Sequence, residues 1–185
     1  QQIARGTYSP IQGFMNKENL SSVLSNNLLI DGNIWTLPII LQIKDKNELS
    51  SFVNERVVLT SKEGEHIAFL DIDSIEEIDL NNMCEKWFKT NSLNHPGVYQ
   101  IQSKGKYIVS GNVSLIKRKD TPYRNYDLSP KETRFIFSQK HWDVIVGFHT
   151  RNPIHRAHEF IQLSAMNISN ADGMYINPVI GPKKK

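Results

Sequence analysis

The sequence predicts a mixed α/β chain, α+β overall, in which a β-rich front part precedes the first βαβ unit of a doubly wound domain. Three observations carry this. Up to about residue 115, short β-branched runs alternate with polar turns. Residues 116–128 then form a polar stretch holding Lys117, Arg118, Lys119, Pro122, Tyr123 and Arg124, as a linker would. Beyond it, an apolar run, a tight polar loop, a helical periodicity and a second apolar run follow in that order.

In the front part, Thr7-Tyr8-Ser9-Pro10 marks a turn-rich start. Leu20, Val23, Leu24 and Leu28 recur at helical spacing and predict a helix near 17–29. Asp31-Gly32-Asn33 is a turn signal. Residues 34–43 are β-branched and strand-like, with Pro38 placing that strand at an edge or bulge. Residues 56–60 and 66–71 predict a hairpin around the polar turn 61–65. A short helix fits 81–90. Residues 98–102 and 107–110 flank Ser103-Lys104-Gly105-Lys106 and predict a second hairpin.

The second part opens on a helix signal at 129–140. Ser129 suits the cap, Pro130 the first helical position and Glu132 the return position of a capping box. Phe135 and Ile136 are expected to pack inward. Residues 142–148 read as a fully buried parallel strand and 149–153 as a loop. Ile154, Ala157, Ile161 and Ala165 are expected to form the apolar face of a helix reaching about Asn167. A turn at 170–173 and a second buried strand at 174–180 complete the βαβ unit. The expected domains are 1–120 and 121–185.

Composition narrows the function classes. Net charge is +3, matched by Lys183, Lys184 and Lys185 alone, and a basic balance this weak argues against nucleic acid as the main partner. No apolar run approaches the roughly 20 residues that span a membrane. The single cysteine, Cys84, has no partner for an internal disulfide, so a reducing cytoplasm and a buried structural thiol are expected. The chain starts on Gln1 and ends on the lysine run directly after a strand-like stretch, as expected of a piece of a longer chain.

The chemistry concentrates in the segment from Gly147 to Glu159, with His149, Thr150, Arg151 and Asn152 followed by His155 and His158. It lies where the first strand gives way to a helix, the edge at which open α/β sheets bind ligands. Backbone N–H groups at that helix start carry about half a positive charge and favour a phosphate. His155 and His158, three apart, share one face there, and Arg151 adds a planar fork suited to a tetrahedral oxyanion. A His-x-x-His pair alone is most often structural. As a zinc site it lacks a carboxylate or cysteine at the usual spacing, so no metal site is expected.

His-x-x-His at a first strand-to-helix junction resembles the nucleotidylyltransferase superfamily. The whole string His149-Thr150-Arg151-Asn152-Pro153 with His155 and His158 resembles the ATP sulfurylase signature. Ser129 to Arg134 upstream, Gly6 to Met15, Ile34 to Ile39, His95-Pro96-Gly97-Val98 and Ile176 to Gly181 resemble further landmarks of that family in the same order. The resemblance spans the whole chain. It implies a PUA-like β-rich N-terminal domain followed by the start of a Rossmann-like nucleotidylyltransferase domain. It also implies transfer of the adenylyl group of ATP to sulfate, giving adenylylsulfate (APS) and pyrophosphate, with Mg²⁺ bound with ATP. Carried over by position, Arg151 and His149 would bind sulfate, Thr150 and Asn152 would contact ATP, and His155 and His158 would steady the α-phosphate. Two departures stand out: the family begins this loop with Gln where this chain has His149, and its later Gly-Arg-Asp-His segment is not within these residues. A homo-oligomer of the full-length form is expected. The competing readings are a nucleotidylyltransferase for another oxyanion, a degenerate homologue that binds APS without turnover, and RNA binding by the PUA-like part.

Overall fold

A computed structural model of the chain describes residues 1–118 and 120–179. Ile180, Gly181 and the lysine run at 183–185, included in the sequence reading, lie outside the described residues. The described chain divides into two compact units, one running from Gln1 to Tyr126 and the other beginning at Asp127.

The first unit is built in the order β1 (Gly13–Phe14), α1 (Lys17–Asn26), β2 (Leu41–Ile43), β3 (Arg56–Thr60), β4 (His66–Glu77), α2 (Leu80–Phe88), α3 (Pro96–Lys104) and β5 (Tyr107–Leu115). β5 is the central strand. It pairs antiparallel with β4 along one edge, and on the other edge with β2 at Tyr107 to Val109 and β1 at Gly111 and Asn112. β3 extends the sheet beyond β4. The register shift between Ile72 and Ser74 bends the twelve-residue β4.

Alternation along β5 explains why both sheet faces carry a core. Ile108 and Val109 are adjacent and both fully buried, yet they belong to different clusters. Ile108 packs with Leu20, Met83, Cys84, Val98 and Ile101 under the helices, while Val109 joins Ala68, Leu70, Ile72 and Val113. Cys84 is a free, buried thiol whose pKa burial pushes up. The helices α1 and α2 are capped by Asn16 on the Asn19 N–H and by Asp79 on the Asn81 and Asn82 N–H groups.

Two strand expectations in this unit are corrected. Residues 98–102 lie in α3, because Pro96 sits in the first turn and the His95 ring accepts from the Val98 N–H. Val98 and Ile101, read as strand, are instead the buried side of that helix. Of residues 34–43 only Leu41–Ile43 join the sheet, and Ile34 makes a single isolated bridge with Leu28. Pro38, which donates no hydrogen bond, lies in the irregular segment before the ladder begins.

The second unit has the order α4 (Pro130–Gln139), β6 (Ile145–Thr150), α5 (Arg156–Ser169) and β7 (Gly173–Pro178). β6 and β7 pair in parallel, Ile145 against Gly173 through Thr150 against Pro178. The capping box at α4 is complete: Ser129 Oγ accepts from the Glu132 N–H, and Glu132 accepts from the Ser129 N–H at 2.6 Å. Phe137 stacks on Trp142 and meets Tyr175 edge-on. Gly173 is required there, since a Cβ would lie 2.4 Å from the Trp142 ring.

The burial expected here is corrected at several positions. Phe135 is exposed, and the inward groups of α4 are Thr133, Ile136 and Phe137. Ile154, just before α5, and Ala157 and Ile161 on it are exposed, whereas Gln162 is buried and His158, Ala165 and Met166 are partly so. β6 and β7 are only partly buried, not fully, because each pairs with a single described neighbour.

Gly111 gives a stability test for the first unit. Its φ is +151°, and a Cβ there would lie 1.9 Å from the Asp71 carbonyl oxygen of β4. Gly111→Ala is expected to destabilise this unit by about 3 kcal/mol or more, read from chemical denaturation. A midpoint equal to wild type would show that the β4–β5 approach is not as close as described.

Candidate active site at the end of the first parallel strand

The β6 carboxyl end, the loop 151–155 and the α5 start bring the sequence-predicted residues into one segment. Thr150 ends β6 and is buried. Its hydroxyl accepts from the Asn152 N–H at 3.0 Å and donates to the Asn152 carbonyl at 3.2 Å. Its own carbonyl accepts from the Val179 N–H. Thr150 therefore folds the loop back on itself and holds it to the end of β7. Arg151, Asn152 and His155 are exposed on that loop, and Arg151 makes no ion pair among the described residues.

The α5 start differs from those of α1 to α4. Each of these has a side chain accepting a first-turn N–H: Asn16, Asp79, His95 and Ser129. His155 holds the cap position of α5 with extended backbone, φ −137° and ψ 174°, but its side chain makes no capping bond. The first-turn N–H groups are left without that acceptor, and the imidazole is free for another use. His155 and His158 do come together, with ring centroids 4.0 Å apart and planes tilted by 31°. Phe148 of β6 backs His158 edge-on at 5.5 Å. Two imidazoles over an open helix start can donate to an oxyanion from several directions.

His149 stands apart from this pair. Strand alternation sets it on the face of Gly147 and Tyr175, opposite Phe148 and Thr150, and its side chain is exposed. Of the carried-over residues, the structure thus joins His155 with His158, ties Asn152 to Thr150, and leaves His149 at the other side of the strand end.

Two residues of this unit escaped the sequence reading. Asp172 lies in what reads as a plain turn, yet its carboxylate accepts from the Asp143 and Val144 N–H groups, both at 2.9 Å. These bonds hold its pKa below the ordinary carboxylate value. Gln162 is buried on the inner face of α5, four residues after His158. That spacing was the available signal, hidden by the choice of the Ile154–Ile161 face as the apolar one.

Comparison with known proteins decides the family. Residues 1–118 match the family model described as PUA-like domain, and residues 124–185 match that described as ATP-sulfurylase. The chain belongs to the PUA-like domain family, and its second part is similar to ATP-sulfurylase. It is 40% identical over 185 residues to the sulfate adenylyltransferase of Thermococcus onnurineus, covering 100% of this chain and 47% of that protein. It is 39% identical, with the same shares covered, to the sulfate adenylyltransferase of Pyrococcus abyssi. The chain thus spans about half the length of the curated relatives it matches. A solved structure, the hexameric APS kinase from Thiobacillus denitrificans, superposes with a TM-score of 0.72 at 23% identity, covering 98% of this chain and 32% of that one. That likeness shows the fold. Within this ATP-sulfurylase segment, His155 and His158 lie at the strand-to-helix junction described above. No helix among the described residues is long and apolar enough to cross a membrane.

The Asp172 carboxylate gives a prediction with a definite sign. A carboxylate whose folded pKa is depressed stabilises the fold above its unfolded value and loses that effect as pH falls through the folded one. Asp172→Asn is therefore expected to melt below wild type at neutral pH, with the gap closing as pH falls below about 4. Melting curves across that range check it. A gap independent of pH would mean that the charge of Asp172 plays no part.

Proposed function

We propose that the chain is the front part of a sulfate adenylyltransferase, which joins sulfate to the α-phosphate of ATP and releases pyrophosphate. The observation that carries this reading is the paired imidazoles of His155 and His158 over a helix start that no side chain caps. The names of the relatives support the same substrates.

Sulfate is a dianion at neutral pH and needs no general base. The difficulty is bringing it to a polyanion, so catalysis is positioning and charge stabilisation. A sulfate oxygen forms the new bond to the α-phosphorus while the bond from that phosphorus to the bridging oxygen breaks in line. Pyrophosphate leaves with the bond electrons. His155 and His158 donate hydrogen bonds to the α-phosphate oxygens as negative charge builds there. Arg151, exposed and without an ion pair among the described residues, offers its fork to sulfate. Asn152 and Thr150 shape the loop against the nucleotide, with the Thr150 hydroxyl spent on the loop itself. His149 stands where the family has Gln and reaches sulfate from the opposite face of the strand end. Mg²⁺ enters on the phosphates of the nucleotide, as part of the substrate. The full-length protein works in the cytoplasm as a homo-oligomer, in keeping with the single buried cysteine and the hexameric assembly of the structural neighbour.

The test is ATP formation from APS and pyrophosphate with Mg²⁺ in the full-length protein. His155→Ala and His158→Ala are each expected to lower turnover by about 100-fold or more, equivalent to about 3–4 kcal/mol of transition-state stabilisation. A change below about threefold in either variant would remove that histidine from the α-phosphate. Phosphate or another oxyanion preferred over sulfate in the forward direction would instead overturn the substrate.

A further inference from the structure

Among the described residues of the second unit, two buried polar side-chain atoms have no hydrogen-bond partner: His158 Nδ1 and Gln162 Nε2. Both residues sit on α5, four apart. We propose that Gln162 is a positioning residue for His158, its amide N–H donating to Nδ1 so that the neutral ring carries its proton on Nε2. This rests on the reading of His158 as a donor to the α-phosphate and says which nitrogen does the donating.

Side chains at i and i+4 share one helix face and lean toward the N-terminus, so the longer Gln162 reaches back over the turn that carries His158. The two atoms are chemically complementary. An amide nitrogen only donates, and the unprotonated nitrogen of a neutral imidazole only accepts. Each costs about 1–3 kcal/mol if left buried and unpaired. One hydrogen bond removes both penalties. The last torsion of glutamine has a broad energy profile, so the amide turns toward the ring at little cost. Gln162 is 7% exposed and has little water to pair with.

The other neighbours of His158 do not compete for Nδ1. Phe148 on β6 presents a ring edge at 5.5 Å and offers no hydrogen bond. His155, the titratable group facing His158, meets it ring against ring at 4.0 Å in a tilted contact with 31° between the planes. Arg156 and Glu159 on α5 itself are exposed.

The consequence is chemical. A neutral imidazole has one N–H, and Nε2 is the nitrogen far from the helix backbone. With Nδ1 occupied by Gln162, that distal nitrogen carries the proton and can donate to a phosphate oxygen. With the opposite tautomer, Nε2 would present a lone pair to an anion and repel it. A buried glutamine that does not itself touch substrate thereby sets the polarity of a group that does.

The experiment is histidine ¹⁵N NMR on the chain at alkaline pH, reading which ring nitrogen of His158 carries hydrogen. The expected wild-type result is a pyridine-like Nδ1 and a pyrrole-like Nε2, with Gln162→Leu giving a mixture of both tautomers. Gln162→Met, which keeps the length without the N–H, stands in if the leucine variant does not fold. A pyrrole-like Nδ1 or a mixture in wild type overturns the inference, and so does an unchanged tautomer in the variant. A second readout is turnover in the full-length protein, expected to fall on the order of tenfold in the variant, as when a group orienting a ligating imidazole is removed. The KM for APS should stay within about twofold. Lost tautomer preference with unchanged kcat overturns the positioning role. The two readings fail separately: an active His158→Ala with the tautomer as expected sinks the α-phosphate role and leaves the Gln162 contact standing.

Discussion

The parallel pairing of β6 with β7 is the interaction on which the site depends. It is clamped at both ends by groups outside the ladder. At the start, the Asp172 carboxylate takes the Asp143 and Val144 N–H groups. At the finish, the Thr150 carbonyl takes the Val179 N–H while its hydroxyl gathers the loop. The strand end that presents Arg151, Asn152 and the histidines is thus anchored on both sides. A parallel pair needs a crossover to return the chain, and α5 is that crossover. The helix start is placed at the strand end by the same connection that permits the pairing.

Local stability is given up where the chemistry is proposed. An Asn, Asp, Ser or Thr cap contributes about 1 kcal/mol to a helix, and the chain uses such residues at α1, α2 and α4. At α5 it uses a histidine that does not cap. The polar atoms buried on the inner face of the same helix, His158 Nδ1 and Gln162 Nε2, repeat the pattern. These departures from ordinary folding rules gather in about two turns of one helix. That clustering is what a functional site produces, since its groups are kept for a ligand in place of their neighbours.

The two units differ in how far their apolar surface is covered. In the first, adjacent residues of β5 feed separate clusters, so each face of the sheet is buried by its own set of elements. In the second, Phe160, Ile161, Leu163 and Ile168 of α5 lie exposed beside the two-stranded pairing. The chain spans about half the length of its relatives, and the sequence patterns in this unit were read as the first βαβ unit of a doubly wound domain with fully buried strands. That is why the apolar periodicity of Ile154, Ala157 and Ile161 gave the wrong inner face: hydrophobic spacing reports which positions are apolar, not which neighbour covers them.

Local chemistry was legible wherever one residue type has one use. The capping box of Ser129 and Glu132, the hairpin of β3 and β4 and the strand, loop and helix order around Thr150 could all be read along the chain. So could the proximity of His155 and His158, because a cap residue and the third residue after it lie side by side at a helix start. The α3 helix was not legible as a helix, since Val98 and Ile101 suit a strand by propensity and the deciding His95 cap needs the folded turn. By itself the sequence determined the order of elements, the place of the candidate site and the chemical types gathered there, all of which are encoded over a few neighbouring residues. Only the tertiary structure decided that His149 lies across the strand from His158, that Asp172 locks β6, and that Gln162 is buried on α5. Those depend on pleat, register and burial, which bring together atoms whose relation no local pattern specifies.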